Sequence, residues 1–184
     1  MPRKVSGAEA LAEISALPRD RTVLVGIDGY GGAGKTTFAA AAATMVPGAI
    51  VVHADDFAAP TVPEWDFDRF RAQVLAPLLA GHPGRYQRWD WQRDEGAEWH
   101  DVPLGRLVIL EGVSSTRAEV AAPWDLTVWI DTPESVRLDR AVTRDGAAML
   151  PTWYDVWLPE EAAYVAREDP LSRVDLILDG VGWE

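Results

Sequence analysis

Residues 29–36 read Gly-Tyr-Gly-Gly-Ala-Gly-Lys-Thr, and they follow the apolar run Thr22-Val23-Leu24-Val25-Gly26-Ile27 after a single acid, Asp28. The pattern G-x-x-x-x-G-K-[ST], set where a buried strand gives way to a helix, is a phosphate-binding signal. Its glycines free the backbone to turn successive N–H groups onto phosphate oxygens. The helix opening near Gly34 adds the positive end of its dipole. The cradle on this reading is Gly29, Gly31, Gly32, Ala33, Gly34, Lys35, Thr36 and Thr37. Lys35 reaches the β- and γ-phosphates of ATP, and the Thr36 hydroxyl holds Mg²⁺. The chain has only two lysines, Lys4 and Lys35, against fifteen arginines, so a lysine at this one loop position points to a requirement for a compact ammonium.

Gly29, Gly31 and Gly34 also fit G-x-G-x-x-G, with Asp55 about twenty residues on, as a dinucleotide-binding fold requires. Lys35-Thr36 separates the two readings. A dinucleotide fold packs its helix closely at that point and has no use for an ammonium and a hydroxyl.

At 184 residues, with 48% hydrophobic and 25% charged residues, the chain reads as a single domain over 1–184 that can bury a proper core. The net charge of −12 argues against a nucleic-acid partner, which demands a basic face. The chain contains no cysteine, which excludes disulfides and thiolate metal sites. No apolar stretch approaches a membrane span, and Met1–Ser6 lacks the apolar run of a signal peptide. A cytoplasmic enzyme without membrane contact is the expectation.

Strands are expected at 22–27, 49–54, 107–110, 126–130 and 174–178. Helices are expected at 7–17, 35–45, 67–80, 132–144 (Thr132 as cap, Pro133 first inside) and 152–168, the last disturbed by Pro159. A mixed stretch covers 58–66, and 85–105 reads as irregular and aromatic, with a short strand near Tyr86–Trp89. The first four strands are continuous apolar runs, the mark of parallel strands covered on both faces. The expected fold is therefore α/β: a doubly wound, parallel five-stranded sheet with helices on both faces. Ligands of such sheets bind beyond the carboxyl ends of the strands, where Asp55, Asp56, Glu111 and Asp131 fall.

Asp55 is the candidate base for an acceptor hydroxyl, with Asp56 assisting or only capping. Glu111, ending an apolar strand, is expected to contact Mg²⁺ through water. Arg137, Arg140 and Arg144 share one helix face. They form either a lid (about 137–153) that neutralises charge on a transferring phosphoryl group or a solvated face paired to Glu134, Asp139 and Asp145. Arg88, Asp90 and Arg93 among Tyr86, Trp89 and Trp91 could build an acceptor pocket, or pack over the sheet edge. Trp124, Trp129, Trp153, Trp157 and Trp183 read as packing residues. His53, His82 and His100 lack metal-ligand spacing and receive no catalytic role.

Together these segments resemble the uridine kinase-like branch of P-loop kinases, whose relatives include phosphoribulokinase and pantothenate kinase. The matching pieces are Gly26 to Thr37, Asp55-Asp56-Phe57, Phe67-Asp68, Trp89-Asp90-Trp91 and Ile109 to Gly112. Asp131-Thr132, Arg137-Leu138-x-Arg140-x-x-x-Arg144-Asp145 and Asp175-Leu176-Ile177 complete them. The resemblance implies a P-loop NTPase core, ATP as phosphoryl donor, Mg²⁺, Asp55 as base, a lid with arginines, and an acid at Asp66 or Asp68 holding acceptor hydroxyls. Two positions depart from it. Ala58 stands where nucleoside kinases of this group carry Tyr, and Asp94 where a base-recognising His is expected. The expectation is an ATP-dependent, uridine kinase-like small-molecule kinase that uses uridine and cytidine poorly and prefers an acceptor whose hydroxyl or cationic groups meet Asp90 or Asp94 between Trp89 and Trp91; the acceptor's class (nucleoside, antibiotic, sugar or other alcohol) stays open. The alternative is a nucleotide-binding regulatory or adaptor ATPase.

Overall fold

The structure is a computed structural model that describes residues 1–58, 64–91 and 93–183; most of the mixed stretch expected over 58–66 lies outside them. In chain order the strands are β1 (Arg3–Val5), β2 (Val23–Gly29), β3 (Ile50–His53), β4 (Gly84–Asp90), β5 (Glu95–Val102), β6 (Leu107–Glu111), β7 (Leu126–Asp131) and β8 (Leu176–Asp179). The helices are α1 (Gly7–Ala16), α2 (Lys35–Met45), α3 (Phe67–Phe70), α4 (Ala76–Leu79), α5 (Glu134–Asp145), α6 (Leu150–Thr152), α7 (Leu158–Glu168) and α8 (Pro170–Arg173). Six strands form one parallel sheet in the order β1-β8-β7-β2-β6-β3. The strand that feeds the glycine loop thus sits inside the sheet, with β6 and β7 on either side.

Successive side chains of β2 go to opposite faces, and both faces are covered. Val23, Val25 and Ile27 pack with Ala10 and Ile14 of α1 and with Phe38, Ala39 and Ala42 of α2. Leu24 joins Val108, Leu110, Phe57, Phe70, Val74 and Tyr86 on the other side. This two-sided burial is why the strand reads as an unbroken apolar run. Each fully buried side chain of this size is worth about 1.5–3 kcal/mol.

The sheet has six strands, not the expected five. The additional one, β1, pairs three residues with β8 (Arg3 with Leu176, Lys4 with Ile177, Val5 with Leu178). Three residues are too few to show a periodicity. The region read as irregular is an antiparallel hairpin, β4–β5. Its turn places Asp94 at φ 56°, a left-handed conformation that Asp tolerates better than most residues. Two long helices each contain a π-helical turn, Arg71–Leu75 between α3 and α4 and Trp153–Trp157 between α6 and α7. Each turn ends two residues before a proline, Pro77 or Pro159. A proline ring clashes with the carbonyl four residues back and withdraws a donor, and the wider turn relieves both.

The carboxyl end of β2 is fixed by a wholly buried acid. Asp28 is 0% exposed and accepts hydrogen bonds from five donors. They are the N–H groups of Gly29 (2.7 Å), Ser114 (2.9 Å) and Thr116 (3.0 Å), and the hydroxyls of Thr116 (2.6 Å) and Tyr164 (2.7 Å). It knots β2, the loop after β6 and α7 together. Replacing Tyr164 with Phe removes one donor to a buried charge, and the expected cost is about 1.5–3 kcal/mol, measured by urea unfolding with an unchanged slope.

Candidate active site

The glycine loop joins β2 to α2. Gly29, Gly32 and Gly34 have φ of 146°, 74° and 99°, so the loop's path needs residues without a Cβ. Gly31 has an ordinary φ and a different constraint. A Cβ there would lie 2.6 Å from Glu161 Oε1 and 2.7 Å from Trp153 Cη2. Lys35 is buried at the start of α2, and its Nζ donates to the carbonyls of Gly29 (3.0 Å) and Tyr30 (2.8 Å). Burial pushes its pKa down, opposed by the charges of Glu111, Asp28, Glu161 and Asp55.

Thr36 Oγ1 donates to Glu111 Oε1 at 3.0 Å, so the side chains expected to hold Mg²⁺ meet where the first turn of α2 faces the end of β6. Two hard oxygens, with no cluster of three potential metal ligands among the described residues, suit Mg²⁺, which keeps waters and phosphate oxygens as its other ligands. The same Glu111 oxygen lies 2.5 Å from His53 Nδ1, and that hydrogen bond raises the pKa of His53 despite its partial burial.

Asp55 and Asp56 follow β3 in a single 3₁₀ turn, Ala54–Phe57, and have different fates. The Asp56 carboxylate accepts from Tyr86 Oη at 3.0 Å, and its carbonyl accepts from Arg69. The Asp55 carboxylate has no hydrogen-bond partner among the described residues. Although it opens to solvent, the protein around it and then the charge of Glu111 push its pKa above the usual carboxylate range. The hairpin docks on this turn through Tyr86 and through Trp91, whose Nε1 donates to the Asp55 carbonyl at 3.3 Å; within the hairpin His100 stacks across the strands on Tyr86 at 5.2 Å.

The other expected acceptor residues have local roles. Asp66 caps α3 by accepting from the Arg69 N–H at 2.8 Å. Asp68 is exposed and pairs with Arg71. Asp90 accepts from the Arg93 N–H and faces Arg88 within the hairpin, and Asp94 sits in its turn. Trp89 Nε1 is buried without a partner among the described residues, while Trp91 is 57% exposed.

The three arginines expected in a lid have different surroundings. Arg137 is buried and donates to the carbonyls of Thr132 and Gly31 and to Glu161. Its guanidinium lies 4.4 Å from the centre of the Tyr30 ring. Arg140, expected among the catalytic groups, donates instead to the carbonyls of Gly32 (3.3 Å), Ala33 (3.2 Å) and Gly180 (2.9 Å); it braces the loop from behind. Thr132, expected to cap α5, gives its hydroxyl to the Ala33 carbonyl at 2.9 Å. Arg144 remains 65% exposed beside Asp145, with its charge felt by Asp55. Sequence reasoning gave no role to Glu161, His53 or His100, and took Asp28 only as a polar residue of the motif after the first strand. Of the first three, His53 carried a signal, by preceding Ala54-Asp55 at a strand end.

No family model matches the chain. A solved structure described as a possible uridine kinase from Bacillus stearothermophilus superposes with a TM-score of 0.70 at 21% identity, over 94% of this chain and 97% of that one. One described as a "putative fructose transport system kinase" from Silicibacter sp. TM1040 gives 0.64 at 20%, over 94% and 98%. The fold is that of the P-loop kinases. A curated relative, the inorganic pyrophosphatase TTM1 of Arabidopsis thaliana, is 28% identical over 143 residues, or 72% of this chain. The chain spans only 22% of that protein's length.

Gly31→Ala tests the contact between the loop and the π-turn helix. The Glu161 carboxylate can swing aside, but the Trp153 ring cannot. The expected overpacking cost is about 1–3 kcal/mol, seen as a lowered thermal midpoint and partly recovered by adding Trp153→Leu.

Proposed function

We propose that the protein is an ATP-dependent kinase that transfers the γ-phosphoryl group to a hydroxyl of a small molecule. The observation that carries this reading is the contrast at the end of β3. Asp56 is committed to Tyr86, while the Asp55 carboxylate, of raised pKa, has no partner among the described residues and lies at the same carboxyl end of the parallel sheet as the glycine loop. The loop holds the triphosphate through its N–H groups and Lys35. Mg²⁺ held by Thr36 and Glu111 would supply charge neutralisation at the β- and γ-phosphates. Asp55 accepts the acceptor's proton as its oxygen bonds to the γ-phosphorus. The bond from that phosphorus to the β–γ bridging oxygen breaks, and ADP leaves. Arg144 is the arginine of the lid left to face the transferring group.

Asp55, Asp56 and Glu111 make the acceptor side acidic, which favours neutral or cationic polyhydroxylic acceptors over anionic ones. The exposed Trp91 offers a face for stacking, and His100 and Tyr86 border the same turn. Ala58 and Asp94 lack the directed donors of a uridine site, since an ionised Asp cannot donate to a pyrimidine carbonyl. Amino sugars, fructose and other polyols are therefore the first acceptors to test, and uridine and cytidine are expected to be poor.

ADP release from ATP·Mg²⁺ is the assay, with and without each acceptor and with pyrophosphate as an alternative substrate. Acceptor-dependent ADP is the expected result. The same slow rate with every acceptor would favour the regulatory ATPase, and release of phosphate from pyrophosphate alone would favour a pyrophosphatase. With the acceptor found, Lys35→Ala is expected to abolish transfer. Asp55→Asn should lower kcat by about 10²–10⁴-fold with the KM for ATP kept, and Asp56→Asn should act mainly on stability. Because the Asp55 pKa is raised, the basic form is lost already above the ordinary carboxylate range, so the acid limb of the kcat/KM profile lies at higher pH than for an exposed Asp. Asp55→Asn should also raise the thermal midpoint at neutral pH: a raised folded pKa means that the ionised form weakens the fold, and the amide removes that charge.

A further inference from the structure

The phosphate loop already carries an anion of its own. Glu161 on α7 accepts the Gly31 N–H at Oε1, 2.8 Å away, and its Oε2 faces Arg137 Nη1 at 3.3 Å. Both partners of this ion pair are buried. Lys35, whose ammonium rests on the carbonyls of Gly29 and Tyr30 just before Gly31, also feels the Glu161 charge. Lys35 is the residue that reaches the terminal phosphates in loops of this kind. The carboxylate therefore occupies an N–H in the half of the loop where the last phosphate is received.

The helix geometry makes this placement specific. Trp153 and Glu161 are eight residues apart, which in a regular α-helix puts them about 80° apart around the axis. The π turn Trp153–Trp157 holds an extra residue and cancels most of that angle. Both side chains then lie against Gly31.

We propose that Glu161 is a resident competitor of the terminal phosphate, which raises the cost of binding a triphosphate relative to a diphosphate and couples triphosphate binding to the release of α7. Two anions cannot share one N–H and one Lys35–Arg137 field without strong repulsion. ATP must displace the carboxylate, whereas ADP leaves it in place. The proposal rests on the nucleotide-binding reading above. Burial holds the Glu161 pKa above its ordinary value, against the Gly31 N–H and the charges of Lys35 and Arg137, so the ionised carboxylate is under tension where it stands.

The test is equilibrium binding of AMPPNP and ADP by calorimetry to the wild type and to Glu161→Gln, which keeps an acceptor oxygen for Gly31 but no charge. The expected result is AMPPNP affinity tightened by at least about fivefold, with ADP changed by less than about twofold. A purely supporting role predicts the reverse sign, with both nucleotides unchanged or weaker, and that result overturns the proposal. Hydrogen exchange on the wild type needs no variant to fold. Saturating AMPPNP, but not ADP, should speed exchange in 158–168, and equal or slower exchange would also refute it. If the wild type binds neither nucleotide, the nucleotide reading itself fails, an outcome distinct from tight but equal binding by both forms.

Discussion

A carboxylate removed from water must be met by donors or lose its charge, and Asp28 is the place where this protein accepts that condition. Its partners come from β2, the loop after β6 and α7, segments far apart in sequence. The first residue of the glycine loop is one of those donors, so the loop's origin is set by the charge beneath it. Its far side is set by Thr132 and Arg140, which take the Gly32 and Ala33 carbonyls. A loop held from both sides presents its N–H groups in one arrangement, the preorganisation that phosphate binding demands.

The division of labour between basic residues follows the same logic. In a chain of net charge −12, the arginines around the loop do not wait in solvent. Arg137 and Arg140 spend their flat, multi-donor guanidiniums on carbonyls, a task that suits a fork of fixed geometry. The compact charge at position 35 rests on two carbonyls of the loop itself. Within the basic stripe, Arg137 and Arg140 bond to backbone carbonyls around the loop and Arg144 is exposed.

The core of the fold was legible because its signals are local. The glycine loop, the doubly buried strands and the caps and prolines that bound the helices are written in adjacent residues. The features that were not legible depend on partners distant in the chain. The three residues of β1 become a strand only beside β8. The hairpin at 84–102 carries charged and aromatic residues whose alternation is weak, and Tyr86 makes sense only once Asp56 and His100 lie against it. Asp28 looked like part of a motif and proved to be the hub of a buried network. Glu161 is one of two adjacent acids in the sequence, and no periodicity announces a π turn. Asp66, Asp68, Asp90 and Asp94 have local contacts that the sequence did not announce: a helix cap, a surface pair and a hairpin turn.

The short strand β1 has a bearing on how the molecule behaves in a crowded solution. Leu176-Ile177-Leu178 of β8 is the kind of apolar, β-prone edge that recruits other chains and seeds aggregates. β1 covers it with a strand only three residues long whose outermost residues, Arg3 and Lys4, are charged and exposed. Arg3 is anchored by Glu13 of α1 at 2.6 Å, which keeps this cover close to the sheet. The six-stranded sheet therefore ends, on that side, in a border too brief and too cationic to template a further strand, and the colloidal stability of the protein is entrusted to its first few ordered residues.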